Sequence, residues 1–258
     1  MLKKIYYKLF KSKDRYNKFK LDQTIIKQQN LFEEKFKNKL FDISNSINNK
    51  KTLNFLHSGH CGDLIYSLAL IKELSKSHQC NLFIGVGKNI RDVRGRFNEL
   101  LNYFTFINKK NVNYYRKKIN KVSSKKEESL KNILQKNPLI KKFILKVDIE
   151  GSEFNIIDEI INFSKNIDML IIEFHDLDKQ EKRFHKEILK LINHFDIIHI
   201  HGNNHCNLNN YGLPIAIELT LLNKNYNLEK IEEKISFPLR ELDYPNNPKL
   251  EDIKFTFK

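Results

Sequence analysis

FILKVDIEGSEF, residues 143–154, is the stretch that decides how this chain of 258 residues folds. An apolar run of strand type stops at Asp148 and Glu150, and Gly151 then permits a turn before Glu153 opens a helical pattern. A strand, a turn and a helix form one unit of an α/β fold, whose ligands bind where the strands end. The carboxylates therefore mark a candidate ligand site. They also suit a simpler role, because Asp148 and Glu150 can cap the helix and Glu153 suits its first turn.

Strands alternate with helices on both sides of this stretch. In the second half, strand patterns cover 143–147, 168–175, 196–201 and 213–222, and helical patterns cover 129–136, 153–163 and 180–195. In the first half, a strand at 53–57, an apolar helix at 64–74 and a strand at 81–86 repeat the arrangement. The spacing predicts an α/β fold: a doubly wound, mostly parallel sheet with a basic N-terminal helical extension.

Composition divides the chain into four parts. Residues 1–50 contain no glycine or proline and predict a basic helical extension, and residues 52–106 form an N-terminal βαβ part. Residues 107–127 are rich in lysine and predict an exposed basic connection. Residues 128–258 form the C-terminal half.

The formal net charge of +15 is unevenly distributed. Residues 1–145 carry 32 Lys/Arg against 11 Asp/Glu, whereas residues 146–258 carry 14 against 20. The excess is mostly lysine in an Asn- and Ile-rich background, and no zinc-finger spacing, RNP-like aromatic motif or helix-turn-helix accompanies it. The sequence therefore does not favour nucleic acid as a partner.

The first twenty residues combine eight Lys/Arg and one acid with five aromatic side chains. This mixture suits peripheral contact with an anionic membrane, but a solvated helix whose aromatics pack on the main domain is the favoured interpretation. No run reaches the roughly 18 apolar residues that span a bilayer. Three scattered cysteines, Cys61, Cys80 and Cys206, form no disulfide framework, so we expect a cytoplasmic protein that is at most peripheral to a membrane.

Polar side chains stand at the ends of three predicted strands. They are Asp148 and Glu150; Glu173, His175 and Asp176; and His199, His201, Asn203 and Asn204. In a parallel sheet these three sets share one edge, where they are suited to proton transfer or to binding a divalent cation. A single strand-end histidine is more often a structural hydrogen-bonding group, so the site is predicted from the three sets together.

Five ordered blocks now carry a resemblance to a known family. FILKVDIEGSEFNIIDEI, LIIEFHDLDK, IHIHGNN, IAIELTLLNK and LRELDYPNNPKLEDIKF together resemble the C-terminal half of the FkbM methyltransferases. The KVDIEGSE run is similar to that family's hallmark, and the likeness extends over roughly residues 128–258. It implies a Rossmann-like domain that uses S-adenosylmethionine to methylate a hydroxyl of a sugar or glycan-associated acceptor.

The resemblance also implies roles for particular residues. Asp148 and Glu150 would line the cleft between cofactor and acceptor, whereas Glu173, His175, His201 and Asn203 would lie on the acceptor side. His199 and Asn204 are further candidates for acceptor binding. His175 and His201 are candidate bases, because an unperturbed imidazole titrates at about pH 6.5.

The best candidate for the cofactor loop is the turn in NFLHSGHCGDLIYSLALIKEL, residues 54–74, with Ser58, Gly59, Gly62 and Asp63 as its binding residues. The same stretch resembles the first strand and helix of heptosyltransferase-like glycosyltransferases. Two alternatives to a methyltransferase thus stay open: a sugar- or nucleotide-binding fusion related to glycosyltransferases, and a degenerate protein without turnover. A divalent metal is a less favoured cofactor.

Overall fold

The structure is a computed structural model. It describes residues 52–58, 71, 74–75, 78–85, 112–115, 118–119, 121, 127–138, 140–209, 212–226, 236–239, 243, 245–247 and 249–256. The predicted basic extension, residues 1–50, lies outside the described residues.

Eleven strands are described. They are β1 (Thr52–Ser58), β2 (Gln79–Gly85), β3 (Val112–Tyr115), β4 (Lys118–Ile119), β5 (Glu127–Glu128), β6 (Phe143–Val147), β7 (Ile167–Phe174), β8 (Phe195–Gly202), β9 (Ile217–Asn223), β10 (Ser236–Phe237) and β11 (Phe255–Thr256). The described α-helices are α1 (Leu130–Lys136), α2 (Ile157–Asn162) and α3 (Leu177–Leu191).

Seven strands form the main sheet in the order β3-β2-β1-β6-β7-β9-β8. The pairs β2–β3, β1–β6 and β6–β7 are parallel, whereas β9 runs antiparallel to both of its neighbours, β7 and β8. Strands from both halves of the chain therefore share one sheet, and the predicted α/β, mostly parallel, Rossmann-like fold is confirmed. The antiparallel insertion of β9 was not predicted.

By its contacts the chain divides into two units. One comprises Met1–Thr52, Cys61–Cys80 and Ile90–Asn111; few of its residues are described, and they include a helical turn in which Ser75 and His78 donate to the carbonyls of Ile71 and Leu74. The other comprises Leu53–His60, Asn81–Asn89 and Val112–Lys258 and contains the large hydrophobic core. The predicted basic connection, residues 107–127, includes β3 and β4.

The core of the second unit follows from strand alternation. In β6 the side chains of Phe143, Leu145 and Val147 are buried, and the two between them are half-buried. The rings of Phe154, Phe174 and Phe184 pack together, with neighbouring centroids 5.1 Å apart. In β6, alternation therefore fixes which side of the strand faces the core. Polar residues follow where the strand ends.

The helix predicted at 153–163 is divided in two. A 3-10 turn at Glu153–Asn155 precedes α2, and Ile156 between them has φ of −108° and ψ of 0°, outside the values of a regular α-helix. In α2, the Glu159 carboxylate accepts hydrogen bonds from the backbone N–H groups of Leu130 and Lys131, at 3.0 and 2.9 Å. Glu159 thereby satisfies two donors at the start of α1 that no helical carbonyl can reach.

The C-terminal segment, residues 236–256, starts and ends in the short antiparallel pair β10–β11. It packs beside the end of β8, where a side chain at Gly202 would meet the ring of Phe255 at 3.0 Å. Gly202 therefore permits the close approach of this segment to the sheet.

Candidate active site

The ends of β6, β7 and β8 lie at one edge of the sheet. β6 and β7 are parallel, and β7 and β8 run in the same direction because each is antiparallel to β9. Ser58, at the end of β1, pairs in register with Val147, which directly precedes Asp148. The strand ends whose polar residues were singled out in the sequence thus share one edge, and β1 ends beside them.

His175 lies at the centre of a group of carboxylates at this edge. Its Nε2 atom is 3.7 Å from Asp148, 3.8 Å from Glu150 and 3.9 Å from Glu173, and its Nδ1 atom is 3.0 Å from Glu153. We call these five residues the His175 cluster. The two ring nitrogens face different partners: one makes a hydrogen bond, and the other faces three oxygens at longer distances.

Glu153 is the site residue that sequence reasoning missed. Its side chain is fully buried, and its Oε1 atom accepts hydrogen bonds from the backbone N–H groups of Ile149 and Gly151, both at 3.1 Å. The sequence suggested only a first-turn position, although Glu153 ends the same KVDIEGSE run that carries Asp148. The same oxygen lies 3.0 Å from Nδ1 of His175, so the backbone of the turn holds the Glu153 carboxylate against that ring nitrogen.

The turn that follows β6 requires unusual backbone angles. Glu150 has φ of 54° and Gly151 has φ of 85°, in the left-handed region that non-glycine residues rarely adopt. A Cβ atom at Gly151 would meet Asp176 Oδ2 at 3.2 Å. Asp176 itself has φ of 55° and immediately precedes α3. Two tight turns thus meet here and bring the residues after β6 close to those after β7.

Charges at this edge raise two pKa values. Burial lowers the pKa of His175, but the hydrogen bond that His175 donates to Glu153 and the charges of Glu153, Glu173 and Asp148 outweigh burial and raise the pKa to about 9. The Cys206 thiol also has a raised pKa, caused first by burial and then by the charges of Glu173 and Glu150. The negative field therefore extends beyond the cluster.

Asn203, which was also predicted on the acceptor side, contacts the cluster through Glu173. Its side-chain Nδ2 donates to Glu173 Oε1 at 2.9 Å, and its side-chain Oδ1 accepts from the backbone N–H of His205 at 3.0 Å. Asn203 therefore fixes one oxygen of Glu173 at the edge of the sheet.

The other predicted residues of β8 contact the C-terminal segment. His199 Nε2 is 3.0 Å from Asp243, and His201 Nε2 is 3.2 Å from Asp252. The buried Asn204 donates to backbone carbonyls of the segment and accepts from the N–H of Asn247 at 2.7 Å. The sequence listed His199, His201 and Asn204 with the ligand site, whereas the structure places their polar atoms against the end of the chain.

Of the four residues predicted to bind the cofactor, only the backbone of Ser58 is described, at the end of β1. Gly59, Gly62 and Asp63 lie outside the described residues. Ser58 itself pairs with Val147, the residue that precedes Asp148.

The cluster also contains the donor types that a divalent cation takes. Asp148, Glu173 and His175 each offer one ligand atom, and these atoms lie within 4.8 Å of one another. Oxygen and imidazole donors suit several divalent ions. A metal is thus a possibility that this geometry permits.

Comparison with known proteins identifies the family. A model described as the methyltransferase FkbM domain matches residues 36–198. The chain belongs to the FkbM methyltransferase family. The match includes β1, β2 and the KVDIEGSE run, and membership of this family supports S-adenosylmethionine as the cofactor. A comparison with curated protein sequences gave no match.

Several solved structures overlap with this FkbM-family chain. One is a proposed methyltransferase in complex with SAH: identity is 11%, the TM-score is 0.42, and the overlap covers 70% of this chain and 48% of the other. Another is a proposed class I S-adenosylmethionine-dependent methyltransferase from Listeria monocytogenes, with 12% identity, a TM-score of 0.45, and coverage of 82% and 62%. The chain thus spans about half of the first protein and about three fifths of the second. The fold assignment depends on the strand order of this chain alone.

Among the described residues, no helix has the length and apolarity needed to cross a membrane. The predicted membrane contact through residues 1–20 lies outside the described residues.

Proposed function

We propose that this FkbM-family chain transfers a methyl group from S-adenosylmethionine to a hydroxyl of a sugar or glycan-associated acceptor. The observation that carries the proposal is the position of His175 Nε2, which lies among three carboxylates at the edge where β1, β6 and β7 end. An imidazole flanked by hydrogen-bond acceptors suits the removal of a proton from a hydroxyl.

The described residues fit the cofactor in charge. S-adenosylmethionine, when bound, supplies a methyl group activated on a positively charged sulfur. Asp148 and Glu150 place carboxylates at the edge of the sheet where β1 ends at Ser58, the first residue of the predicted cofactor turn. Asp148 and this turn are therefore the parts of the chain that would hold the cofactor.

The acceptor would lie over the ends of β7 and β8. Nε2 of His175 takes the proton of the hydroxyl that is methylated, while Asp148 and Glu173 accept hydrogen bonds from neighbouring hydroxyls. Asn203 holds Glu173 through a 2.9 Å hydrogen bond. Several acceptors close together suit a sugar, which presents several hydroxyls, better than they suit an isolated alcohol.

The charge state of His175 sets when it can act as a base. Because its pKa is raised to about 9, His175 carries a proton at neutral pH. The neutral imidazole that abstracts a proton becomes more populated as pH rises, roughly tenfold for each pH unit below the pKa. We therefore propose an enzyme that works best in alkaline solution.

The test begins with calorimetric titration of the full chain with S-adenosylmethionine and, separately, with a nucleotide-sugar. A panel of sugars and glycans is then incubated with S-adenosylmethionine, and gain of a methyl group is followed by mass spectrometry. Asp148→Asn, which removes charge but keeps shape, should abolish most turnover with little loss of stability. Unchanged turnover would contradict the site, and binding of the nucleotide-sugar alone would favour the glycosyltransferase-related alternative.

A further inference from the structure

We infer that Glu153 is the positioning residue of this site: it fixes the ring of His175 in one tautomer and holds its other nitrogen toward the acceptor. The inference rests on the proposed role of His175 as the base. It assigns a function to a residue that the sequence placed only in the first turn of a helix.

Within the His175 cluster, Glu153 contacts the histidine ring and not the space at the edge of the sheet. Its side chain is fully buried, so it contacts neither solvent nor acceptor. The N–H groups of Ile149 and Gly151 and the Nδ1 atom of His175 all lie within 3.1 Å of its Oε1 atom. Glu153 therefore acts through His175, at which its carboxylate is aimed.

The tautomer follows from this hydrogen bond. A carboxylate only accepts, so Nδ1 of His175 must be the donor. When the ring is neutral, its single proton is then on Nδ1 and the lone pair is on Nε2. That lone pair faces the space bounded by Asp148, Glu150 and Glu173, where an acceptor hydroxyl would lie.

The backbone keeps the carboxylate in place. Ile149 and Gly151 belong to the tight turn between β6 and the 3-10 turn, and both direct their N–H groups at the same oxygen. The other oxygen, Oε2, is buried and accepts no hydrogen bond from the described part of the chain. A buried carboxylate oxygen left in this state is costly for stability, which favours a functional reason for Glu153 over a purely structural one.

A matched control exists in the same unit. Glu159 also accepts two backbone N–H hydrogen bonds, from Leu130 and Lys131, but it contacts α1 and no residue of the His175 cluster. Glu159→Gln therefore removes a carboxylate with a comparable backbone role and leaves His175 unaffected.

The test is a histidine NMR titration of the full chain, with the His175 signals assigned by their loss in His175→Gln. In Glu153→Gln the His175 pKa should fall by about 1–3 units, while Glu159→Gln leaves it within error of the wild type. Glu153→Asp, which keeps the charge, should restore much of the raised pKa. An unchanged His175 titration in folded Glu153→Gln would overturn the inference.

A second measurement needs no variant and protects the test against misfolding of Glu153→Gln. In the wild-type protein above the His175 pKa, nitrogen-15 shifts should identify the Nδ1–H tautomer. The Nε2–H tautomer would overturn the inference. Neither experiment requires methyl transfer. The role of Glu153 and the proposed methyltransferase activity are therefore tested separately, and either can be contradicted while the other is supported.

Discussion

Two regions of this chain combine histidines with carboxylates, and they use the imidazole in opposite ways. In the His175 cluster the ring bonds Glu153 through Nδ1 and leaves Nε2 at 3.7–3.9 Å from three further carboxylates. On β8, His199 and His201 direct Nε2 itself to Asp243 and Asp252 of the C-terminal segment. The first arrangement leaves one nitrogen facing the edge of the sheet, and the second uses that nitrogen to hold the end of the chain.

This difference shows that a histidine in the sequence is not enough to identify a site. What matters is whether the fold leaves one of its ring nitrogens facing a possible ligand. His201 and His175 were equally good candidate bases in the sequence. The hydrogen bond of His201 to Asp252 uses Nε2, whereas His175 has both an orienting partner and a second nitrogen that faces the edge. We therefore propose His175 as the base and a fastening role for the β8 histidines.

The strongest test of this comparison exchanges the two histidines for glutamine. His175→Gln should lower methyl transfer by roughly 10²–10⁴-fold, because it removes a general base. His201→Gln should keep turnover within a few-fold of the wild type, since glutamine can still donate to Asp252. Initial rates with saturating cofactor measure both, and a loss in His201→Gln as severe as that in His175→Gln would erase the distinction.

The two regions should also lose stability at opposite ends of the pH range. The folded-state pKa of His175 is raised from 6.5 to about 9, so its contribution is fully present below pH 6.5 and is lost as pH rises through about 9. That contribution is about 1–3 kcal/mol. In His175→Gln the fall in melting temperature between pH 6.5 and 9 should become shallower, and an unchanged slope would show that another group causes it.

For the C-terminal segment, we expect the contribution of Asp243 to stability to be lost at acidic pH. Burial raises its pKa, but the hydrogen bonds from His199 and from the Leu239 N–H outweigh burial and lower the pKa below 3.8. Its contribution is thus present above pH 3.8 and is lost as pH falls through the lowered value. Asp243→Asn should cost about 1–2 kcal/mol at neutral pH, and its melting temperature should converge with that of the wild type in acid. A constant difference at all pH values would contradict the lowered pKa of Asp243.

A local effect of similar size concerns the turn between β6 and the 3-10 turn. Gly151→Ala places a side chain at φ of 85° and 3.2 Å from Asp176 Oδ2, and should cost about 1–2 kcal/mol in unfolding free energy. Gly212→Ala is the control, because Gly212 also has positive φ, at 75°, but a Cβ there meets no atom within 4 Å. Urea denaturation of both variants separates the contact with Asp176 from backbone strain, and equal losses would show that strain alone matters.

Much of the fold was readable from local patterns. The apolar runs predicted β6, β7 and β8, because each strand is an apolar stretch that ends at polar residues; side chains alternate in burial along β6, whereas Ile197 and Ile198 of β8 are exposed. The position of β9 between β7 and β8 was not readable, since strand order depends on pairing between distant residues. The division of the helix predicted at 153–163 was not readable either, since no glycine or proline marks the break at Ile156.

The candidate site was predicted in part for the same reason. Asp148, Glu150, Glu173 and His175 follow strands that end at one edge, so their proximity follows from the fold class. Glu153 was missed because its partner, His175, lies 22 residues further along the chain. The partners of His199 and His201 lie 44 and 51 residues away, and no local pattern connects them.

The most direct test of the central claim is the pH dependence of methyl transfer by the wild-type protein. If Nε2 of His175 takes the proton from the acceptor, kcat/KM should rise about tenfold per pH unit from neutral pH and level off at a pKa near 9. Glu159→Gln should give the same profile. A profile that is flat from pH 6 to 9, or that levels off at the ordinary histidine pKa of 6.5, would contradict the assignment of His175 as a base held by Glu153.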